Sequence, residues 1–214
     1  AAPILEEGLE AIARKIDLGT DEPCLVVFNA LSFPRTDAVR VSRFESKGPF
    51  DLVDEETGKT VPWQLVKLEG PLDPLPYAAQ RHARGQFEPH ELVDLVFVAE
   101  DVPPLGHKTY RLAPRKEEVA YEGGVAVKES GLESRFFKVV LNSKTGAVES
   151  ILDKELAREI VDREAAHGLN EPVVRWVQSG KVETAGEARI RKGAVGPVYG
   201  SLRVESAAPG CPQV

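Results

Sequence analysis

Residues 24–41 read CLVVFNALSFPRTDAVRV and contain the clearest structural pattern in the chain. Two runs rich in β-branched and apolar residues, at 24–29 and 38–44, favour β-strands, and the proline between them fixes a reversal of the chain. The connection is unusual because Leu31 and Phe33 stand where a turn would ordinarily hold polar residues. We therefore expect these two side chains to pack against a neighbouring element.

Similar short runs of Val, Leu, Phe and Thr alternate with turn signals along most of the chain, which predicts an all-β fold. Gly58 in ETGK provides a left-handed turn residue, and residues 142–146, NSKTG, separate two alternating strands. Residues 153–162 fit either a short helix or a turn followed by a strand. The predicted strands are 24–29, 38–44, 50–54, 61–67, 92–99, 107–112, 125–129, 134–141, 147–152, 173–178 and 200–205.

Before the first strand, residues 4–17 have the period of an amphipathic helix, and Gly19 provides a stop signal. A helix of this length is marginal in water, so its apolar stripe requires a packing partner. The stripe contains Leu5, Leu9, Ile12 and Ile16.

The composition excludes several classes of partner. The chain has 27 basic and 34 acidic residues and a net charge of −7, which argues against non-specific binding to nucleic acid or to anionic membranes. No apolar run is long enough for a membrane span. Two cysteines, Cys24 and Cys211, are too few for a disulfide framework, so we expect a reducing compartment, the cytoplasm. Because the chain lacks Met and opens inside a predicted helix, we expect a piece of a longer protein.

No compact catalytic or metal-binding motif is present. The four histidines have no zinc-ligand spacing, and no nucleophile elbow surrounds a serine. The four histidines are His82, His90, His107 and His167. Any two of the 34 acidic residues are candidates for a glycosidase pair, but the sequence selects none. We therefore assign no catalytic or metal-binding residue, and the substrate-binding residues stay unknown.

Aromatic side chains are the remaining candidates for sugar contacts. Alternation in VPWQL puts Trp63 on one strand face with Val61 and Leu65, which favours core packing. Tyr77 lies in a proline-rich loop, and with Trp176 it is a candidate stacking platform. The other aromatics considered are Phe87, Tyr110 and Tyr199.

Four stretches, in their order and spacing, resemble the C-terminal half of glycoside hydrolase family 38 α-mannosidases. They are LVVFNALSFPRTDAVRV at 25–41, VPWQL at 61–65, VFVAEDVPPLGHKTYRL at 96–112 and LESRFFKVVLNSKTGAVESILDKELAREIVD at 132–162. The resemblance implies a catalytic α/β barrel and a three-helix bundle elsewhere in the parent enzyme, followed by β-domains.

On that map, residues 1–18 resemble the end of the bundle, residues 19–115 a small β-sandwich domain, and residues 116–214 the opening of a larger sandwich of the galactose mutarotase-like type. The charged run at 114–124 is the predicted linker between the two sandwiches. The implied fold class is all-β, with β-sandwich domains and one N-terminal helix. A truncated second sandwich further predicts either dimerisation or disorder near Gly210.

The family resemblance also implies a mechanism for the parent enzyme. Retaining hydrolysis there uses two carboxylates and a divalent metal, usually zinc, and these groups belong to the barrel. No segment of this chain matches the barrel motifs, so the fragment alone is expected to be inactive and to hold no cofactor. Its expected partners are the missing barrel and bundle, or a second copy, and it meets carbohydrate only through the parent enzyme.

Two other functions stay open at this point. A free-standing carbohydrate-binding β-sandwich would stack a sugar on Tyr77 or Trp176. A mutarotase-like epimerase would need a carboxylate base and a histidine acid on one sheet face, and His167 is the only histidine in the second half of the chain.

Overall fold

The computed structural model describes residues 2–42, 44–45, 48–67, 93–118, 120–121 and 123–208. These residues form two compact units, Ala1–Tyr121 and Glu122–Val214. The division between the units falls inside the run at 114–124. None of the described helices is long and apolar enough to cross a membrane.

The first unit is built mainly of strands, as the sequence predicts. Its sheets are antiparallel, one with the order β1-β7-β3-β4 and one with the order β2-β6-β5. The elements are α1 (Ala2–Ala13), β1 (Cys24–Asn29), β2 (Arg35–Val41), β3 (Phe50–Asp54), β4 (Thr60–Val61), β5 (Trp63–Lys67), β6 (Val93–Val102) and β7 (Gly106–Pro114).

The described part of the first unit has a hydrophobic core to which both of its sheets contribute buried side chains. Phe97 of β6 and Tyr110 of β7 are fully buried, and their rings meet edge to face with centroids 4.9 Å apart. Trp63 stacks on Phe50 at 4.3 Å, so the prediction that Trp63 packs in the core is confirmed. Such aromatic pairs stabilise a core beyond the burial of their area.

The predicted strand at 61–67 is wrong as a single element. Val61 ends β4 in one sheet, whereas Trp63 begins β5 in the other sheet. Pro62 lies between them and has no backbone N–H to continue a ladder. Leu65 is 45% exposed, so it does not share a buried face with Trp63.

The apolar loop between β1 and β2 connects the two sheets, because these strands do not pair with each other. Leu31 and Phe33 remain 38% and 57% exposed, so the packing expected for them is not found in the described structure. The turn between β6 and β7 also changes sheets, and its Leu105 N–H donates to the Leu31 carbonyl at 2.9 Å. Leu105 is itself exposed. We call Leu31, Phe33 and Leu105 the loop patch.

The helix α1 confirms the predicted N-terminal helix, although it ends at Ala13 instead of residue 17. Its Leu9 is only half-buried and Ile12 is 52% exposed. The apolar stripe of the helix therefore lacks full cover from the described residues.

The second unit is also built of strands. One antiparallel sheet has the order β12-β11-β10-β9-β8, and the hairpins β13-β14 and β15-β16 complete the described elements of this unit. The strands are β8 (Ala126–Val127), β9 (Gly131–Glu133), β10 (Phe137–Leu141), β11 (Val148–Asp153), β12 (Arg158–Glu159), β13 (Val173–Arg175), β14 (Val182–Thr184), β15 (Arg189–Lys192) and β16 (Leu202–Glu205). The hairpin predicted at 142–146 joins β10 to β11 and is confirmed.

The second unit has a small core. Its buried apolar side chains, among the residues described, are Leu141, Ala147 and Ala208. Large apolar side chains remain exposed across the same unit: Phe136, Phe137, Leu156, Ile160, Leu169, Val173, Trp176, Val177, Val182, Val195 and Tyr199. Exposed apolar side chains in this number leave surface that other parts of a larger protein could cover.

The β10–β11 turn depends on Gly146. This residue has a left-handed backbone, with φ at 74°, and a Cβ added there would lie 2.3 Å from the Val204 Cγ1 atom. Replacing Gly146 by Ala is therefore expected to lower the free energy of unfolding by about 2 kcal/mol. Gly180→Ala is the control, because Gly180 has a φ of 67° but no atom within 4 Å of the added Cβ.

Urea denaturation of both variants measures the difference. We expect Gly180→Ala to cost about 1 kcal/mol, from backbone strain alone. Equal losses at the two positions would contradict the close packing of the turn on β16.

Candidate functional site

An open groove of about 830 Å³ lies in the second unit. Alternation along β10 and β11 directs Val140 and Leu152 to this groove, together with Lys138 and Ser150. Residues after β12 supply the opposite wall, which is irregular in structure. The groove therefore combines a strand face with a loop, so its polar groups come from separate parts of the chain.

The carboxylate of Glu159 ties the groove wall to the strand. Ser150 Oγ donates to it at 2.5 Å, and the backbone N–H groups of Ile151 and Val161 donate at 2.8 and 3.0 Å. The Ser150 hydroxyl and these two N–H groups stabilise the charged form, which lowers the pKa of Glu159 to about 2. The ionised carboxylate is thus part of the structure of the groove.

This arrangement predicts a pH-dependent contribution of Glu159 to stability. Because the pKa of Glu159 is depressed in the folded chain, its contribution to stability is fully present at pH values above its ordinary pKa of 4.5. That contribution is lost as the pH falls towards 2. The melting temperature of Glu159→Gln should therefore lie below that of the unchanged chain at pH 7, with a gap that closes in acid. Thermal denaturation from neutral to acidic pH measures it, with Glu155→Gln as control. A gap of constant size would contradict the prediction.

His167 lies on the same groove, where the epimerase hypothesis requires a histidine. It is exposed, and two of the carboxylates that line the groove already accept hydrogen bonds from other groups. Asn142 Nδ2 donates to Glu149 Oε1 at 2.7 Å, and the Gly168 N–H donates to Glu171 Oε2 at 2.8 Å. The structure places His167 and four acidic side chains along one groove, and no hydrogen bond between His167 and any of them is present among the described residues.

The other histidines and the cysteines form no second site. His107 lies in β7, with its ring 5.8 Å from that of Phe28. His82, His90 and Cys211 lie outside the described residues, and Cys24 is a half-buried free thiol. Within the described ranges, no three His, Cys, Asp or Glu side chains are grouped to hold a metal ion. This part of the chain therefore does not fit the zinc site that the family resemblance implies for a barrel.

Trp176, one of the two candidate stacking platforms, lies within the part of the chain that the structure describes and is exposed. It is 43% exposed beside the β13–β14 hairpin, and its indole N–H donates to Glu183 Oε2 at 2.7 Å. Tyr77 and Phe87 lie outside the described residues. Tyr110 is in the core, and Tyr199 is exposed.

Sequence reasoning missed a buried ion pair in the first unit. Lys108 Nζ lies 3.0 Å from Asp54 Oδ2, and both side chains are almost fully buried. The sequence contains a sign of this pair, because alternation in HKTYRL puts Lys108 on the same strand face as Tyr110. Asp54 also accepts from the N–H groups of Glu56 and Thr57 in the β3–β4 turn, which gives the pair a structural role.

Comparison with known proteins shows what the fold is similar to. No protein-family model matches the chain, and no curated protein matches it. An α-mannosidase structure from Enterococcus faecalis V583 is similar over 94% of this chain and 25% of that one, with 17% identity and a TM-score of 0.57. A second structure from Enterococcus faecalis, a protein in glycosyl hydrolase family 38, is similar over 94% and 26%, with 16% identity and a TM-score of 0.56.

The chain thus spans about a quarter of the length of these two solved structures. The likeness in fold to family 38 proteins, which four sequence stretches predicted, is confirmed by both structures. At these identities the similarity describes the fold.

Proposed function

We propose that this chain is a non-catalytic, β-rich portion of a larger α-mannosidase of glycoside hydrolase family 38. The observation that supports it most is the match of 94% of the chain to only a quarter of a solved α-mannosidase. Four sequence stretches in family order support the same proposal independently. The parent enzyme would hydrolyse α-mannosidic bonds with retention of configuration.

The distribution of apolar surface supports a role inside a larger polypeptide. Among the described residues, the second unit leaves eleven large apolar side chains exposed, and the stripe of α1 is only partly covered. Burying such surface stabilises a protein by about 25 cal/mol per Å². The catalytic barrel and the helical bundle of the same polypeptide are the partners that we propose for these faces, and a second copy is the alternative.

The division of chemical roles follows from this proposal. The nucleophile, the acid–base carboxylate and the zinc ion would all belong to the barrel, and this chain would support the barrel and border the substrate cleft. Such a chain has no hydrolytic activity by itself. A cytoplasmic location is proposed from the scarcity of cysteine.

One alternative function has a specific observation in its favour. Trp176 is exposed and its ring is held by Glu183, which suits a sugar-stacking platform in a free-standing carbohydrate-binding module. This alternative predicts that Trp176→Ala abolishes sugar binding by the isolated chain. The epimerase hypothesis has less support, because Glu149 and Glu171 accept hydrogen bonds from Asn142 and from the Gly168 N–H instead of from His167.

The sequence of the complete reading frame tests the proposal. We expect a catalytic segment with metal-ligating and carboxylate motifs upstream of Ala1. A complete reading frame without such a segment would remove the α-mannosidase proposal and leave the carbohydrate-binding alternative.

The loop patch gives a separate test of docking. Replacing Leu31 and Phe33 by Ser is expected to destabilise the full-length enzyme by about 2 kcal/mol, because the apolar contacts with the rest of the polypeptide are lost. In the isolated chain both side chains are exposed, so the same double variant should change the stability little. Thermal denaturation of both forms measures this. Unchanged stability of the full-length enzyme would show that the patch does not dock.

A further inference from the structure

We propose that the groove over β10 and β11 is a binding site for a neutral saccharide of one or two hexose units. This inference goes beyond the supporting role proposed above, because it assigns a ligand to this chain's own residues. It requires no catalytic segment, so the isolated chain can test it.

The size and the floor of the groove suit a sugar ring. Its volume of about 830 Å³ lies in the range of small-molecule sites, which is about 300–1,000 Å³. Val140, Val148 and Leu152 are half-buried in it and present apolar surface. The C–H face of a pyranose packs on such a surface, while its hydroxyl groups point towards the polar walls.

The polar walls contain acceptors that are already fixed in position. Asn142 holds the Glu149 carboxylate, and the Gly168 N–H holds that of Glu171. An ionised carboxylate accepts about four hydrogen bonds, so each retains the capacity to bind a hydroxyl group. Fixed side chains lose little entropy when a ligand binds, which favours affinity.

Donors are present in the same groove. Lys138 and His167 both line it, and neither side chain makes a hydrogen bond or ion pair with another residue of the described structure. A hydroxyl group both donates and accepts, so a polyhydroxylated ligand matches walls that contain both kinds of partner.

The charges of the groove exclude acidic ligands. Two basic side chains and four acidic ones line it, which gives a negative balance: Lys138, Arg163, Glu149, Glu159, Asp162 and Glu171. Such a balance repels phosphates and carboxylates. Among polyhydroxylated ligands the groove therefore favours neutral sugars over sugar phosphates.

Titration of the 214-residue chain tests the inference, with methyl α-D-mannoside, a mannobiose and maltose as neutral probes and mannose 6-phosphate as the acidic probe. We expect saturable binding of at least one neutral probe at millimolar concentration, with NMR shifts at Val140, Val148, Leu152 and His167. Mannose 6-phosphate should bind more weakly. Mapping shifts on the unchanged chain keeps the test valid if a variant fails to fold.

Three variants locate the site. Glu149→Ala should weaken neutral-sugar binding about tenfold, because it removes a charged acceptor. Glu155→Ala is the matched control, because Glu155 does not line the groove, and it should leave the affinity unchanged. Trp176→Ala distinguishes this groove from the stacking platform of the alternative function. The inference is overturned if no probe binds, if the shifts lie elsewhere, or if only Trp176→Ala abolishes binding. None of these outcomes alters the reading-frame test of the α-mannosidase proposal.

Discussion

Replacing Lys108 by Ala is expected to lower the free energy of unfolding of the first unit by about 3–5 kcal/mol. The side chains of Lys108 and Asp54 are both almost fully buried, with Nζ and Oδ2 3.0 Å apart. Burial, the largest single influence, would lower the pKa of Lys108, but the hydrogen bond and negative charge of Asp54, with a hydrogen bond to Glu56, together raise it. Removing the ammonium group would leave a carboxylate buried without its cation, which is the source of the large loss.

A double variant separates charge from packing. Lys108→Met with Asp54→Asn removes both charges, fills similar volume and keeps an acceptor for the Glu56 and Thr57 N–H groups. We expect it to recover most of the stability that Lys108→Ala loses, since neutral replacements of buried ion pairs are often tolerated. Urea denaturation followed by Trp63 fluorescence in a Trp176→Phe background reports on the first unit. A loss below about 1 kcal/mol for Lys108→Ala would contradict the structural role.

Replacing Asn29 by Ala is expected to cost about 3 kcal/mol, because one buried and three part-buried hydrogen bonds to backbone groups are lost. Asn29 is buried at the end of β1, and its amide crosslinks the two connections that change sheets. Its Nδ2 donates to the carbonyls of Phe33, Val102 and Pro103 at 2.8, 3.0 and 3.1 Å. Its Oδ1 accepts from the Leu31 N–H at 3.0 Å.

The Asn29→Asp variant separates the contribution of the three Nδ2 hydrogen bonds from that of the Leu31 N–H bond to Oδ1. Aspartate keeps the acceptor for Leu31 but replaces the donor by an oxygen that repels the three carbonyls. We expect Asn29→Asp to be at least as unstable as Asn29→Ala in the same fluorescence measurement at neutral pH. Full stability of Asn29→Asp would show that only the Leu31 contact matters.

Local patterns in the sequence were sufficient to predict the bounds of some strands of the first unit. The bounds predicted for β1 and β3 agree with the structure, because alternation and turn chemistry at their ends are local properties. β2 begins at Arg35, three residues before the predicted start at 38, since pairing with β6 decides its extent. Pairing partners are distant in sequence, so a single strand does not reveal them.

Strands with polar sequences were harder to predict in the second unit. β12, β14 and β15 were missed as strands of their own, because they are short and rich in charged residues. At 153–162 the structure has the turn followed by a strand, one of the two forms that the sequence left open. Apolar periodicity is the main strand signal, and these segments lack it.

The groove was beyond sequence reasoning for a physical reason. Its wall lies in an irregular segment after β12, and the hydrogen bonds of Glu159 hold part of that segment. No motif spacing joins Glu149 to His167, since their proximity depends on the path of this segment. By contrast, Asn29 was visible as the end of the FN strand, although its crosslinking role needed the structure.

Hydrolysis of 4-nitrophenyl α-D-mannoside tests whether this chain is the non-catalytic portion of an α-mannosidase. It compares the polypeptide of the complete reading frame with the 214-residue chain alone. We predict zinc-dependent hydrolysis with retention by the complete polypeptide and none by the isolated chain. Hydrolysis by the isolated chain, or its absence from the complete, folded, zinc-supplied polypeptide, would contradict the proposal that this chain is the non-catalytic portion of an α-mannosidase.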